Sequence, residues 1–274
     1  MILILGLIGG LAFGLSAFAG AFVSLPLLIL GAAIGVHAAL PVVLLSLGIC
    51  SAIAAGDAVR ARQCDTSVVV LYLVGALPAA IAAGIVVQWL PEDIVATVFL
   101  VFAIIFGPLL IGTARRRRSR LLPSPAALLH APRRDWNAAA GRRQHSSVMR
   151  RRIVLASAGC GVIAAMCAAP GSWVAGRAIN RAMPGQAFQV AGTLAFSLAA
   201  LAILAAGLQF LLAPVAPGYA SGMYVLGTVA GMGLSRRVEP MPIMRHSNTV
   251  IGVLVIALAM LMWMAVVATG SHAA

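Results

Sequence analysis

Two apolar stretches of the sequence are interrupted by small residues and proline, and these interruptions are where its residues could carry out chemistry. The first interruption contains Gly20, Ser24 and Pro26, and the second contains Gly171 and Ser172. Because glycine weakens a helix and proline lacks a backbone N–H, both runs predict broken helices. The N–H groups freed at a broken helix, together with the positive end of its dipole, can bind an anion without a charged side chain.

The polar side chains that could complete such a site lie in the second and sixth apolar segments, and they are Ser46, Gln189 and Thr193. A hydroxyl in a membrane helix usually bonds to its own backbone, whereas an amide is harder to satisfy in hydrocarbon. A structural bond between helices stays open as the alternative for each of them, as close helix packing does for the glycines. The predicted substrate-binding residues are Gly20, Ser24, Pro26, Ser46, Gly171, Ser172, Gln189 and Thr193.

Other kinds of site are not predicted. All six acidic residues lie in loops or at segment ends, so the sequence offers no carboxylate in mid-membrane for proton transfer. The four cysteines lack the spacing of metal ligands, and neither a nucleophile elbow nor a phosphate-binding loop is present. We therefore expect a protein that is not an enzyme and that uses no metal or cofactor.

The elements that position these residues are predicted to be membrane helices. Hydrophobic residues make up 62% of the 274-residue chain and charged residues 9%, against about 25% charged in a soluble domain. A chain this apolar needs the bilayer as its solvent, where only helices and closed barrels satisfy the backbone. The sequence predicts an all-α polytopic membrane protein with eight apolar segments, at about 2–30, 36–56, 66–89, 93–113, 153–176, 186–212, 216–235 and 247–269.

The spacing of glycines indicates that the chain consists of two homologous halves. At offsets of 150 to 152 residues, four glycines of the first half recur in the second: Gly10, Gly20, Gly35 and Gly75 match Gly161, Gly171, Gly185 and Gly227. Each half has one glycine-interrupted segment followed by three others. We predict a first transmembrane repeat at 1–113, an arginine-rich cytoplasmic linker at 114–152 and a second repeat at 153–274.

The net charge of +13 comes largely from the linker, because 12 of the 19 basic residues lie between Arg115 and Arg152. Basic loops beside membrane segments stay in the cytoplasm and attract anionic lipid. Anionic lipid is therefore the predicted partner of this linker. Nucleic acid is not, since no base-reading motif accompanies the arginines.

Arginine placement also predicts how the segments cross the membrane. If the fifth segment crossed fully, Arg177, Arg181, Arg236, Arg237 and Arg245 would all lie outside, against the usual bias. The conflict disappears if the fifth segment is a re-entrant hairpin, and if the first segment is its counterpart. Each half then has three crossings and one hairpin. We predict six crossings and two re-entrant hairpins, arranged as an inverted repeat.

The run Phe18–Pro26 resembles a motif of the sulfite exporter TauE/SafE family of membrane permeases. The family pattern G-x-G-G-G-F-x-x-x-P is kept at Gly20, Phe22 and Pro26, while Ala19 and Ala21 stand where the family has glycines. In the second half, Ala169–Ser172 takes the place of a Gly/Pro-rich run. The resemblance also extends to the layout of two four-segment halves.

This resemblance implies a secondary transporter that carries a small anion, such as sulfite, an organosulfonate or a related carboxylate, across the cytoplasmic membrane of a bacterium. The alternative is a non-transporting membrane scaffold or assembly factor that docks through its arginine-rich loop. The sequence leaves the substrate, the direction, the coupling ion and a homo-oligomeric state open.

Overall fold

A computed structural model describes residues 1–16, 19–115, 123–130, 147–168, 172–183, 186–212, 218–238 and 247–270. Within these ranges the chain forms ten α-helices and no strand. They are α1 (Ile2–Leu15), α2 (Ala19–Ala32), α3 (Val36–Arg60), α4 (Thr66–Trp89), α5 (Glu92–Arg115), α6 (Ser147–Cys167), α7 (Ser172–Ala182), α8 (Ala187–Leu212), α9 (Tyr219–Val238) and α10 (Ser247–Gly270). A short 3₁₀ turn, Ala127–His130, lies between α5 and α6.

The first and fifth predicted segments each consist of two helices, the first hairpin (α1 and α2) and the second hairpin (α6 and α7), and the other six each form one helix. The break in the first segment falls between Leu15 and Ala19 and not at the predicted interruption, because Gly20, Ser24 and Pro26 all lie inside the continuous helix α2.

Where α1 and α2 meet, Gly20 lies against Phe13 and Gly31 against Leu5, so the two helices run antiparallel. Each has 14 residues, or about 21 Å, which is shorter than the roughly 30 Å of hydrocarbon in a bilayer. The interruption of both segments is therefore a feature of the fold.

Two antiparallel helix pairs connect the halves. Between α3 and α8, Gly48 lies against Ile203, and Gly192 lies against Ala58. Between α5 and α10, Gly107 lies against Ile256, and at the opposite end Trp263 Nε1 donates to Thr97 Oγ1 at 3.0 Å. Helix α3 of one half thus pairs with α8 of the other, and α5 with α10.

Two further helix pairs meet in matching form in the two halves. Gly10 of α1 packs on the backbone of Thr228 in α9, and Gly161 of α6 packs on the backbone of Ala76 in α4. The partner helices contribute glycines to the same contacts. Gly227 of α9 packs on the backbone of Leu3 in α1, and Gly75 of α4 packs on the backbone of Val154 in α6. A side chain at any of these four glycines would overlap backbone atoms, so these helices meet at glycine.

Five described helices are long and apolar enough to cross a membrane, and they are α3, α4, the first 18 residues of α5, α8 and part of α10. Helix α4 exposes a row of branched apolar side chains, among them Val70, Val74 and Ile81, as a lipid-facing helix does. Helix α9 is not among the five, since Gly, Ser, Thr and two terminal arginines lower its hydropathy. Its crossing, and with it the number six, stays a prediction.

The helices extend further into the predicted linker than the apolar segments do. Helix α5 ends at Arg115, and α6 begins at Ser147, six residues before its apolar part. Long arginine side chains let a helix continue past the hydrocarbon. Within the described part of the linker, Pro125, Ala126 and Leu128 are also buried, the last two at 0% and 2% exposure.

Candidate functional site

A small cavity of about 10 Å³, roughly the space of one water molecule, lies where α3 and α8 cross. Its walls are apolar except for Ser51. The tip of the second hairpin closes it on one side through Ala164 and Ala168. The lining residues are Leu44, Leu47, Ser51, Ala164, Ala168, Leu198, Leu201 and Ala202.

The tip beside this cavity has an unusual backbone. Ala168, the last described residue before the second interruption, has a φ of 49°, in the left-handed region that an alanine rarely adopts. Ala33 and Arg62 have the same left-handed conformation just after α2 and α3, so at Ala168 it marks the end of α6. The cavity thus adjoins the second of the two predicted interruptions.

Ser24 lies in the first hairpin, on α2, and is fully buried. Its Oγ makes no hydrogen bond of normal geometry, although Gly9 of α1 and the Tyr224 side chain lie beside it. Tyr224 of α9 reaches the same place, where its hydroxyl donates to the Ser24 backbone oxygen at 3.2 Å. A buried hydroxyl without a well-formed hydrogen bond is costly.

Gly20 and Pro26 lie on either side of Ser24 in the same helix. A methyl group at Gly20 would overlap Phe13, so glycine lets α1 and α2 approach closely. The Gly20 N–H donates to Ser16 O at 3.3 Å and is therefore occupied in this conformation. Pro26 is buried within α2.

The other predicted residues have separate surroundings. Ser46 Oγ donates to Val43 O of its own helix at 2.8 Å. Thr193 Oγ1 accepts from the Asp65 N–H at 3.0 Å and so connects α8 to the α3–α4 loop. Gln189 is half-buried, one turn before Thr193. The structure therefore does not bring these three into one cluster with Ser24.

The residues of the second interruption are described only in part. Gly171 lies outside the described residues, and Ser172 is the first residue of α7.

Sequence reasoning missed two buried polar residues near the hairpins. Gln209 of α8 is 1% exposed and donates through Nε2 to Ala165 O at 3.0 Å, at the end of α6. The argument applied to Gln189, that an amide in an apolar segment needs a partner, applies equally to Gln209. Tyr224 could have been found in the same way, as a polar group within an apolar segment.

The cytoplasmic ends predicted for α3 and α9 are joined by an ion pair. Arg236 Nη2 lies 2.5 Å from Asp57 Oδ2, and the two side chains are 20% and 11% exposed. In the neighbouring α3–α4 loop, burial raises the pKa of the Cys64 thiol to about 11, with the Asp65 carboxylate as a second cause. Cys64 is thus protonated and poorly nucleophilic at neutral pH.

Comparison with known proteins identifies one family. The profile of the Sulfite exporter TauE/SafE family matches residues 2–262, which is nearly the whole chain. Neither the curated proteins nor the solved structures contain a significant match.

Proposed function

The chain belongs to the sulfite exporter TauE/SafE family of multi-pass membrane transport proteins, and from that premise we propose that it is a secondary transporter of a small anion. Sulfite, an organosulfonate or a related carboxylate is the proposed substrate class. The observation that carries the proposal is the pair of two-helix hairpins in matching positions. The cavity beside the second hairpin has about the volume of one water molecule, so it does not itself hold the anion. Interrupted helices of this kind surround the substrate in many secondary transporters.

We propose further that the two halves form an inverted repeat. The equivalent helices α3 and α8 are antiparallel, as are α5 and α10, which is expected if one half is upside down relative to the other. The contact of Gly10 with Thr228 corresponds to that of Gly161 with Ala76 at an offset of 151 to 152 residues. Paired contacts of this kind support a pseudo-two-fold axis near the α3–α8 crossing.

The proposed orientation puts the arginine-rich linker in the cytoplasm, at the inner membrane of a bacterium, where anionic lipid attracts it. The ends of α3 and α9 then lie on the same side, in keeping with the Asp57–Arg236 ion pair. Reporter fusions after Arg62, Arg118 and Arg245 test this orientation. All three should report the cytoplasm, and a periplasmic Arg245 would contradict the inverted repeat.

The proposed binding site consists of the two hairpin tips and the polar groups beside them. Gly20 and Gly171 would allow close approach, and Ser24 and Ser172 would offer hydroxyls. For Ser24 the support is its buried Oγ, which makes no hydrogen bond of normal geometry. The roles of Pro26, Ser46, Gln189 and Thr193 are proposed as lining further along the path.

The test is anion transport in proteoliposomes that contain the purified protein, with sulfite, a sulfonate and a dicarboxylate compared in parallel. Ser24→Ala should lower the transport rate about tenfold, as expected for the loss of one hydrogen bond to a charged substrate. Ser157→Ala is the matched control, because the equally buried Ser157 lies outside the proposed site and its hydroxyl donates to Val154 O of its own helix at 2.9 Å. It should keep nearly the full rate. No transport of any of these anions by the wild-type protein would reject the proposed function.

Gly20→Val needs a second variant to be interpretable, because the new side chain would overlap Phe13. If Gly20 serves the substrate, Gly20→Val with Phe13→Ala should fold but transport poorly. Gly56→Val is the control, since its side chain would meet nothing within 4 Å. Recovery of transport in the double variant would show that Gly20 serves helix packing and not the substrate.

A further inference from the structure

An apolar segment lies within the arginine-rich linker. Residues 123–130 read Pro-Ser-Pro-Ala-Ala-Leu-Leu-His and contain no charged residue other than the terminal histidine, whereas Arg120 and Arg133 flank them. A loop that only bridges two halves through water has no need for such a segment. Ala126 and Leu128 are in fact buried, with 0% and 2% of their surface exposed.

The segment has local structure of its own. Ser124 Oγ accepts from the Ala127 N–H at 3.1 Å, as a cap at the start of the Ala127–His130 turn. Two prolines, Pro123 and Pro125, fix the backbone just before the turn. A segment that is ordered in this way loses little conformational entropy when it docks.

The docking position is beneath the first hairpin. The Ala126 N–H donates to Gly14 O at 3.3 Å, one of the last carbonyls of α1, and the turn packs on α3 and α8. The end of a helix leaves such carbonyls without an intrahelical partner. In the second half the counterpart is Ala165 O, which accepts from Gln209 Nε2 on α8.

The two hairpins therefore satisfy equivalent carbonyls in different ways. The second uses Gln209, a residue of the helical scaffold, whereas the first uses a segment outside both repeats. The contact consists of one backbone hydrogen bond and the buried residues Pro125, Ala126 and Leu128, and it can be released without unfolding either repeat because it lies outside both.

We propose that residues 123–130 are a plug that closes the cytoplasmic side of the first hairpin and must leave for the site to open inward. The plug's orientation, and its effect on transport, rest on the proposed function. Its docking does not, because the buried Leu128 and the bond to Gly14 are features of the described residues.

The experiment measures access to the hairpin tip with a cysteine at Ser16, which is 8% exposed. The four native cysteines are replaced, Ser16→Cys is introduced, and a charged, membrane-impermeant methanethiosulfonate is added to inside-out vesicles. Leu128→Asp, which puts a carboxylate into the apolar contact, should raise the labelling rate about tenfold or more. The matched control is Ala127→Asp, with the same charge at a half-buried neighbour, and its rate should stay within about twofold.

Leu128→Ser serves as a second variant that removes the apolar contact without adding a charge, and thermal unfolding in detergent confirms that each variant is folded. Equal labelling with and without the Leu128 substitutions would overturn the plug, and so would a rise seen only in right-side-out vesicles. Sulfite flux is measured on the same variants. If no variant transports any anion but Leu128→Asp still speeds labelling, the plug stands and the proposed function fails.

Discussion

The two hairpins differ in what fills the space beside their tips. At the offset of 151 residues that relates Gly10 to Gly161, Phe13 of the first hairpin corresponds to Ala164 of the second. Phe13 is 1% exposed and packs against Gly20, whereas Ala164 lines the cavity. The first tip is also covered by the linker segment, which has no equivalent at the second tip among the described residues.

The difference lies in the side chains at the hairpin tips and not in the backbone contacts between the helices. The glycine contacts that hold the helices together recur in both halves, since a glycine in backbone contact cannot be replaced without moving a helix. The side chains at the tips have no such restriction. In the proposed transporter, the filled first tip and the less filled second tip correspond to a conformation that is closed on the cytoplasmic side.

Phe13→Ala is expected to have the largest effect, because it removes a buried ring that no rearrangement of a packed hairpin can fully replace. We expect the free energy of unfolding to fall by about 3–5 kcal/mol. Phe196→Ala is the control, since Phe196 is 41% exposed on α8 and should lose less than about 1 kcal/mol. Chemical or thermal unfolding in detergent measures both. Equal small losses would mean that the first tip is not tightly packed around Phe13.

Gly10→Ala and Gly161→Ala test whether the two halves are held alike. Each new methyl group would overlap a backbone carbonyl of the partner helix. Each substitution should therefore lower the free energy of unfolding by about 1–3 kcal/mol, and the two losses should be similar.

The control for this pair is Gly159→Ala, on the same helix as Gly161 but with nothing within 4 Å of the new methyl group. It should leave stability unchanged or raise it by up to about 1 kcal/mol, because alanine favours a helix. A loss in only one of the two tested variants would show that the equivalent contacts are not energetically equivalent.

The Asp57–Arg236 ion pair has no counterpart at the other end of the α3–α8 pair. At an offset of 152 residues, Gln209 corresponds to Asp57 and Gly84 corresponds to Arg236. A double-mutant cycle with Asp57→Asn and Arg236→Gln should give a coupling energy of about 1 kcal/mol, as is usual for a pair that solvent reaches in part. Arg237→Gln, at the exposed neighbour, should show no coupling with Asp57→Asn. Coupling of equal size for Arg237 would indicate a diffuse charge effect.

The smallest effect concerns reactivity rather than stability. Because the pKa of Cys64 is raised to about 11, its neutral thiol persists until the pH approaches that value, and only then does the thiolate form. Maleimide labelling of Cys64 should therefore rise about tenfold per pH unit from pH 7 to 9. Val148→Cys, at an exposed position on the side predicted to be cytoplasmic, should already approach its plateau near pH 9. A plateau for Cys64 at the same pH would contradict the burial of this loop.

Much of the fold could be predicted, because the relevant signals are local. Apolar runs gave segment boundaries within a few residues of helices such as α4 and α8. The interruptions at Gly20 and Gly171 marked the two segments that the structure divides into hairpins. The family was likewise indicated by a short motif, and the match over residues 2–262 confirms it.

The candidate site was less predictable, since it depends on contacts between residues far apart in the chain. Ser46 and Ser24 have the same side chain, yet only the Ser24 hydroxyl makes no hydrogen bond of normal geometry. A serine's partners in the folded protein cannot be read from its type. The cavity beside Ala164 depends in the same way on three separate helices.

The sequence by itself determined that this protein resides in a membrane, which two of its segments are interrupted and which family it belongs to, because hydropathy and short motifs act over one or two helical turns. The tertiary structure alone decided that α3 pairs with α8, that Phe13 fills one hairpin and not the other, and that Leu128 of the linker is buried. These features depend on the packing of distant surfaces, for which the order of residues along the chain carries no local signal.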